Sequence, residues 1–451
     1  MTEPSPRRSL TRARLIGFSL VTTVLVLAGA NALVDWLGRR GVVELHRPDD
    51  QVQFVEETLL EKRGDVWVTT DYAEQNMLPS RFAAERGDGF RLFVLGGSFA
   101  MGSPYSHQED GAESPGGMST WLRARLSARS PDTAVEVVNL GAGGEGSFRV
   151  KRILEEVVQR EPSAVLVASC NNEGAASPSA MREYLHTLGG YRLMTKLLAP
   201  TESLQGRTLH TVQQDVVTEL RRNFGENLRE MVRSTEQAGV PLFLATLPVN
   251  LRYSRYSMSP FADGVDITGA ITRQEPEPCV AAGRTAYEEE RWQDAVTALA
   301  ECDDVAEALR WTGLALVELG RYDEGKAALE QSVELLPRNR CRPSFNDVIR
   351  RVAAEAPAHV HLVDLQRAAE ASAPHGIPGY GEDGDEQFLD YCHMHWRGYA
   401  AMAGTVQEAM DAAGLLPAGD STLVPPLDEL ADSLGAPAMH QHGRVQAARW
   451  E

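Results

Sequence analysis

The amino-acid sequence predicts an α/β domain built on a parallel β-sheet. Five short apolar runs have the length and composition of buried strands, and helical segments separate the first three of them. Strands that alternate with helices form parallel β-α units in a doubly wound sheet, and such sheets bind ligands beyond the carboxyl ends of their strands. The loops that follow the predicted strands are therefore the first place to search for a functional site.

The predicted strands cover residues 91–97, 135–139, 164–169, 241–247 and 359–365. We expect amphipathic helices at 121–128 and 147–159, between the first three strands. Residues 35–87 show few periodic signals and are interpreted as a connecting region. Residues 416–451 are rich in Pro, Gly and Ala and are predicted to be a disordered tail.

The amino-terminal region has the pattern of a membrane anchor. Residues 15–34 carry no formal charge, and a helix of about 20 residues spans a bilayer's hydrocarbon core. The basic segment 1–14 contains Arg7, Arg8, Arg12 and Arg14. Such arginines keep the amino terminus cytoplasmic, so we expect a single-pass signal-anchor with the globular part outside the cytoplasm. The alternative is a signal peptide cleaved near Ala30-Asn31-Ala32, which would release a secreted protein.

Residues 279–341 interrupt the alternation with two similar helical units, which begin at Gly283 and Gly313. In each unit an aromatic residue follows the glycine by nine positions and a leucine by sixteen; these are Trp292 and Leu299, then Tyr322 and Leu329. The pattern resembles tetratricopeptide repeats, and the resemblance implies a surface that docks a protein or peptide partner. An ordinary helical hairpin is the alternative.

The cysteines are compatible with an oxidising compartment. Cys279 and Cys341 flank the helical insert and could bridge its base, whereas small buried apolar side chains are the alternative interpretation. Because the chain contains five cysteines, at least one thiol stays free unless two chains pair.

Two glycine-rich loops follow the first two strands. Residues 96–102 (GGSFAMG) place Ser98 at the carboxyl edge of the sheet, although Gly-Gly-Ser is also a common loop sequence. Residues 139–147 (NLGAGGEGS) precede a helix, where backbone N–H groups can hold a phosphate or an oxyanion. Gly141, Gly143 and Gly146 match the dinucleotide fingerprint G-x-G-x-x-G, but the acidic residue that this motif needs after the next strand is replaced by asparagine.

Two further motifs carry polar groups suited to catalysis. The segment CNNE, residues 170–173, follows the third strand, and Asn172 offers a side-chain N–H donor to developing negative charge. Near the end of the chain, DYCHMHWRGY spans residues 390–399. Asp390 lies three residues before His393 and can reach its Nδ1, which leaves Nε2 free to deprotonate a hydroxyl.

Other interpretations of these residues are open. Cys392 beside His393 could be a thiol nucleophile, although neighbouring side chains in a turn generally point apart. The pairs His393/His395 and His359/His361 have the H-x-H spacing of metal ligands, but no third ligand stands at a convincing spacing. We expect no metal and no cofactor. The net charge of −19 argues against general nucleic-acid binding, which needs clustered Lys and Arg.

Together, and in this order, the four motifs resemble those of the SGNH (GDSL-like) hydrolase family over residues 88–250 and 342–413. The resemblance implies a flavodoxin-like three-layer sandwich, formed by residues 88–278 and 342–415 around the insert. It implies that Ser98 is the nucleophile, His393 its base and Asp390 the acid that orients the base. The oxyanion hole would consist of Ser98, Gly144 and Asn172. Two family residues are replaced, an Asp by Gly97 and a Gly by Cys170.

The sequence therefore predicts a membrane-anchored, exported serine esterase. Its substrate would be an O-acyl ester on a small molecule or glycan, with envelope glycans suggested by the expected location. An O-acyltransferase on the same fold shares the chemistry up to the acyl-enzyme and is an alternative. A non-catalytic interaction protein, whose insert recruits partners, is the other.

Overall fold

The computed structural model describes residues 58–105, 116–173, 209–252, 278–335, 340–380 and 387–438, together with parts of 22–40 and 188–193. The chain divides into two compact units. Residues 1–56 and 178–206 form the first, and residues 57–177 and 207–451 form the second.

In the first unit, residues 26–34 are helical, and the Gly190 N–H donates a hydrogen bond of 2.8 Å to Asn31 Oδ1. Among the described residues, no helix has both the length and the apolar character needed to cross a membrane. The membrane helix predicted at 15–34 is therefore not supported by the part of it that is described, and residues 15–21, 24 and 25 lie outside the described residues.

The second unit contains the sheets. Its strands are Leu60–Arg63 (β1), Val66–Thr69 (β2), Arg81–Ala83 (β3), Phe90–Gly96 (β4), Val135–Gly141 (β5), Ala164–Ala168 (β6), Leu242–Thr246 (β7) and Val360–Asp364 (β8). The last five form a parallel sheet in the order β5-β4-β6-β7-β8 and confirm the five predicted strands to within two residues at each end. Every residue of β4, β6 and β7 is buried, which explains why these strands read as unbroken apolar runs.

The helices of the second unit are Ser98–Met101 (α1), Met118–Arg129 (α2), Ser147–Val157 (α3), Leu209–Ala238 (α4), Pro278–Glu288 (α5), Trp292–Leu299 (α6), Ala306–Glu318 (α7), Tyr322–Leu335 (α8), Pro343–Glu355 (α9), Leu365–Ser372 (α10), Trp396–Ala412 (α11) and Leu427–Leu434 (α12). Helices α2 and α11 pack together on one face of the sheet, where Trp121 stacks on Trp396 with centroids 5.6 Å apart. Helices α3, α4 and α9 cover the other face. The predicted three-layer α/β architecture is confirmed.

The strand order creates a switch point beside β4. The chain runs from β4 to β5 on one side and then crosses to β6 on the other, so the loops after β4 and β6 leave the sheet next to each other in opposite senses. A crevice forms at such a point in doubly wound sheets, and ligands bind there. Ser98 follows β4 and Asn172 follows β6, so the topology brings these two predicted site residues together.

The prediction that residues 35–87 are only a connecting region was wrong for the described residues 58–87. They contain an antiparallel sheet, β1-β2-β3. Leu60 and Phe82 are buried in the main core, and the Phe82 ring meets Phe93 of β4 edge-on with centroids 5.2 Å apart. Strands of three or four residues are too short to show a periodic pattern, which explains the miss.

The prediction of a disordered tail was wrong for residues 416–438. They form a short 3-10 helix, Ser421–Leu423, and α12, from which Leu430 and Ala431 are buried in the main core. Arg129 fixes the segment, because its Nη1 donates to the Pro417 carbonyl at 2.6 Å and its own carbonyl accepts from the Asp420 N–H at 2.8 Å. Two well-placed apolar residues therefore order a segment whose composition resembles a tail. Residues 439–451 lie outside the described residues.

Helices α5 to α8 form two successive hairpins within the predicted insert. A Cβ atom at Gly283 would clash with Leu299, and one at Gly313 would lie 2.6 Å from Leu329 Cγ. The glycine and the leucine sixteen residues later therefore meet in both hairpins, which gives the sequence pattern a common packing role. Assignment of the hairpins to the tetratricopeptide class stays a prediction.

The proposed pairing of Cys279 with Cys341 was wrong. Cys279 forms a disulfide with Cys302 inside the insert, and Cys341 forms one with Cys170, which follows β6. Cys392 is the buried free thiol. The first bridge closes the hairpin of α5 and α6, and the second ties the end of the insert to the sheet.

Candidate active site

Ser98 lies at the carboxyl edge of the sheet because β4 ends at Gly96 and α1 begins at Ser98. Gly96 passes so close to β6 that a Cβ there would clash with the Ala168 carbonyl oxygen. The residue after it, Gly97, is the N-cap of α1. Ser98 is thus the first residue of a helix, where its backbone N–H has no partner within the helix and is available to a ligand.

His393 and Asp390 lie in the loop before α11. The carboxylate of Asp390 accepts from His393 Nδ1 at 2.5 Å through Oδ2, and from the backbone N–H groups of Cys392 and His393 at 2.8 and 2.6 Å through Oδ1. This closes the loop on itself and leaves Nε2 facing away from the acid. His393 Nε2 lies 2.8 Å from Ser98 Oγ.

Packing between α1 and α11 brings residues 295 positions apart into this contact. The rings of Phe99 and Tyr399 lie 5.3 Å apart, and the Tyr399 hydroxyl donates to the Ser103 carbonyl at 2.7 Å. The Tyr105 hydroxyl in turn accepts from the Trp396 N–H at 3.0 Å. The loop after the serine is therefore anchored to the helix after the histidine.

The charges of the acid and the histidine support each other. Burial raises the pKa of Asp390, but the charge of His393 and the hydrogen bonds to the carboxylate outweigh it, and the net pKa is lowered. Burial also opposes protonation of His393, yet the neighbouring Asp390 carboxylate prevails and holds the His393 pKa well above its usual 6.5. The pair can therefore accept a proton from a neighbouring hydroxyl.

Asn172 lies against Gly97, next to Ser98, whereas Gly144 has no neighbouring atom within 4 Å of where its Cβ would stand. Asn172 Nδ2 donates to the Glu145 carbonyl at 3.2 Å and lies 2.6 Å from where a Cβ at position 97 would stand. A side chain at this position would push the amide aside, so glycine at position 97 has a local physical reason. Gly144 has φ +75°, a left-handed conformation that glycine adopts without strain, and it lies exposed at the tip of its loop.

Two of the three glycines in the dinucleotide-like pattern, Gly141 and Gly146, serve close packing. A Cβ at Gly141 would clash with the Met101 backbone of α1, and one at Gly146 would lie 3.1 Å from the Asn172 carbonyl. Gly143 has ordinary space around it, with Met101 Sδ at 3.6 Å. Gly141 and Gly146 let the loop pass between α1, which begins at Ser98, and the loop that carries Asn172.

Glu173, the residue after Asn172, is hydrogen-bonded to the first residue of α3. Its Oε1 accepts from the Ser147 N–H at 2.6 Å, and its Oε2 accepts from the Ser147 hydroxyl at 2.8 Å, at the start of α3. The same hydroxyl accepts from Asn227 Nδ2 at 2.9 Å. Burial raises the pKa of Glu173 to about 7, against the lowering effect of the Ser147 hydrogen bonds and of Arg342. Glu173 thus links the loop after β6, which carries Asn172, to the start of α3.

The cysteine considered as a thiol nucleophile is buried, and the histidines considered as metal ligands contact other protein groups. Burial raises the pKa of the Cys392 thiol, which disfavours a thiolate nucleophile. Within the described part of the chain, one group of three side chains has atoms close enough to hold a metal ion, namely Asp390, Cys392 and His393. The acid and the histidine of this group are hydrogen-bonded to each other. His395 caps α11 by accepting from the Arg397 N–H at 3.2 Å, and the His361 ring stacks on Phe243. His359 Nε2 lies 3.0 Å from Thr235 Oγ1.

Sequence reasoning missed Asn250, which follows β7 and is buried against the acid's loop. Its Nδ2 donates to the Asp390 carbonyl at 3.0 Å, and its N–H donates to the Tyr391 carbonyl at 3.0 Å. A polar residue just past the carboxyl end of an apolar strand was the available signal, since Ser98 and Asn172 occupy the same kind of place.

No family model and no curated protein matches the sequence. Solved structures that are similar in fold include an alpha/beta hydrolase enzyme from the metagenome of Lake Arreo, Spain, with 15% identity and a TM-score of 0.35 over 73% of this chain and 97% of that one. An acetylxylan esterase of Geobacillus stearothermophilus shares 14% identity at a TM-score of 0.35, over 72% of this chain and 96% of its own. A GDSL-like lipase from Bacteroides thetaiotaomicron shares 10% at a TM-score of 0.32, over 74% and 93%. At these levels, a function for this chain has to come from its own residues.

Proposed function

We propose that this protein is an SGNH-type serine hydrolase of O-acyl esters. The observation that carries the proposal is the continuous chain Ser98–His393–Asp390, in which Oγ lies 2.8 Å from Nε2 and Nδ1 lies 2.5 Å from the carboxylate. Nucleophile, base and orienting acid have these relations in serine hydrolases of unrelated folds, so the geometry indicates the chemistry without help from sequence similarity.

The first half-reaction forms an acyl-enzyme. His393 Nε2 takes the proton of the Ser98 hydroxyl while Oγ forms a bond to the carbonyl carbon of the ester. The carbonyl oxygen gains the negative charge and accepts hydrogen bonds from the backbone N–H groups of Ser98 and Gly144 and from the Asn172 amide. When the tetrahedral intermediate collapses, the ester C–O bond breaks and His393 returns the proton to the leaving alcohol.

The second half-reaction releases the acid. Water gives a proton to His393 and attacks the acyl carbon; the bond between that carbon and Ser98 Oγ then breaks, and His393 returns the proton to Oγ as the free carboxylic acid leaves. Asp390 stays ionised throughout and stabilises the positive charge on the ring. If a sugar hydroxyl replaces water in this step, the same site transfers the acyl group, so transfer is one outcome that product analysis would reveal.

Glycan-borne acyl groups and a location outside the cytoplasm are part of the proposal. The location is suggested by the uncharged residues 15–34 behind four arginines and agrees with the two disulfides, which persist in oxidising compartments, and the glycan is suggested by that location. Fractionation of cells that express the full chain, followed by protease treatment of intact cells, tests this location. Docking of a protein partner on the insert stays a prediction.

Activity is tested on p-nitrophenyl acetate and on an acetylated oligosaccharide, with the full-length protein. We expect turnover by the wild type and a loss of at least about a thousandfold in kcat in Ser98→Ala and in His393→Ala. Cys392→Ala, with a substitution beside the same histidine, is the matched control and should keep turnover. Equal rates for the wild type and Ser98→Ala would refute the proposal, and mass spectrometry of the products separates hydrolysis from transfer.

A further inference from the structure

The segment after β7 is joined by hydrogen bonds to the loop that carries the proposed acid and base. Asn250 is 7% exposed; its Nδ2 donates to the Asp390 carbonyl and its backbone N–H donates to the Tyr391 carbonyl of that loop. Asn250 Oδ1 accepts from the Arg252 N–H at 3.1 Å, and Gly379 lies directly against it because any Cβ there would clash. The asparagine is thus held on all sides and defines where the acid's loop sits.

The next residue, Leu251, belongs to the core of the helical insert. It is 5% exposed and packs in one apolar cluster with residues of α7 and α8, whose other buried members are Leu314, Val317, Leu329, Val333 and Ile377. Its backbone N–H donates to the Pro378 carbonyl at 3.0 Å. Two consecutive residues therefore connect the insert's interior to the proposed catalytic acid.

The other end of the insert reaches the oxyanion side of the site. Cys341 is the last residue of the insert, its N–H donates to Asn171 Oδ1 at 2.9 Å, and its sulfur is bonded to Cys170. Asn172 is the next residue along that loop. The insert consequently contacts both halves of the site, the acid–base loop through Asn250 and Leu251 and the oxyanion loop through Cys341.

We propose that the helical insert is a positioning element of the active site and that Asn250 is the positioning residue through which it acts on His393. The proposal rests on the proposed serine-hydrolase function and adds to it that turnover depends on the packing of the insert. A displacement of about 1 Å at a catalytic group lowers a rate by about a hundredfold, so a small shift of the acid's loop would be visible in kcat. Anything that moves α7 against Leu251 would regulate the enzyme in the same way.

A pair of leucines in α7 offers a matched test. Leu314, 5% exposed, belongs to the apolar cluster that contains Leu251, whereas Leu309, 7% exposed, belongs to a separate cluster with Ala306 and Leu335. At a temperature where both variants are folded, Leu314→Ala should lower kcat by about tenfold with KM within about twofold, and Leu309→Ala should leave kcat unchanged. Equal effects of the two substitutions, or no effect of Leu314→Ala, would overturn the proposal.

A second measurement reads the acid–base pair without turnover. Asn250→Leu keeps about the same volume and removes the donor to the Asp390 carbonyl without placing a new charge beside the acid's loop. We expect a loss of about tenfold to a hundredfold in kcat, and a shift of the downfield NMR signal of the His393 Nδ1 proton in the full-length protein. An unchanged signal and unchanged kcat overturn the inference alone. If the wild type shows neither turnover nor fluorophosphonate labelling, the proposed function is refuted. The NMR comparison would still decide whether Asn250 positions the loop of Asp390 and His393.

Discussion

Replacement of Gly97 by alanine tests whether the Asn172 amide is an oxyanion donor. The new Cβ would stand 2.6 Å from Asn172 Nδ2, whereas ordinary van der Waals contact begins at 3.4 Å, so the amide has to retreat by about 0.8 Å. The Glu145 carbonyl, at 3.1 Å from the same Cβ, limits the space in another direction. Since the atom that moves is the end of a side chain, the fold should tolerate the change while the donor moves.

The expected loss of activity follows from that displacement. A hydrogen bond of about 2.9 Å that lengthens by this amount is no longer a hydrogen bond, because distances beyond about 3.5 Å do not qualify. Removal of one oxyanion donor costs about 2.7–4 kcal/mol of transition-state stabilisation, or about a hundredfold to a thousandfold in kcat. Gly97→Ala should therefore approach the activity of Asn172→Ala, with a melting temperature within a few degrees of the wild type.

The assay is kcat for p-nitrophenyl acetate in a double-mutant cycle. If Gly97→Ala acts through the amide, it lowers kcat in the wild type and has little effect in the Asn172→Ala background. Gly143→Ala is the control, because a Cβ there has ordinary space in the neighbouring loop. An equal loss with and without the asparagine would refute the reasoning, as would a Gly97→Ala variant with full activity.

Three further predictions concern charges and packing around the site. Because the His393 pKa is held well above 6.5 and the neutral ring is the base, kcat/KM should rise with pH and reach half its maximum above pH 6.5. Asp390→Asn should lower that midpoint and reduce kcat by about 10⁴-fold, and a wild-type midpoint at or below 6.5 would contradict the prediction. Burial raises the pKa of Glu173 from 4.5 to about 7, so the native state binds this proton more tightly than the unfolded chain and the free energy of unfolding falls as pH rises between those values. The free energy of unfolding of Glu173→Gln, measured in urea, should therefore increase relative to that of the wild type by up to about 3 kcal/mol between about pH 5 and about pH 8. A difference that stays constant with pH would count against this prediction. Tyr105→Phe leaves the Trp396 N–H buried without its acceptor, which should lower the free energy of unfolding by about 1–3 kcal/mol, and an unchanged denaturation midpoint would show that the contact between the serine loop and α11 contributes nothing.

The central sheet could be predicted from the sequence because its strands are buried on both faces. Such strands appear as unbroken apolar runs, and β4, β6 and β7 are of this kind. The small sheet β1-β2-β3 was missed because three or four residues cannot establish a period, and α12 was missed because its burial depends on Leu430 and Ala431 within a Pro-rich stretch. Local patterns predict an element only when it repeats its period several times and when its burial does not depend on contacts distant in the sequence.

The predicted site residues were local signals at the ends of strands and in one turn before a helix. Ser98, Asn172 and His393 each stand in a recognisable motif, and the structure brings Ser98 and His393 into contact and places Asn172 beside them. Asn250 stands in no motif, since its role depends on the acid's loop 140 residues further along the chain. The pairing of Cys170 with Cys341 spans 171 residues and depends in the same way on tertiary packing.

Covalent labelling tests the central claim most directly. The full-length protein is treated with a fluorophosphonate probe, and the modified residue is identified by mass spectrometry of the digested protein. We predict one phosphonylated site, Ser98, with labelling lost in Ser98→Ala and slowed by at least about a hundredfold in His393→Ala. Labelling that persists at the same rate in Ser98→Ala, or modification of another residue of the wild type, would contradict the account.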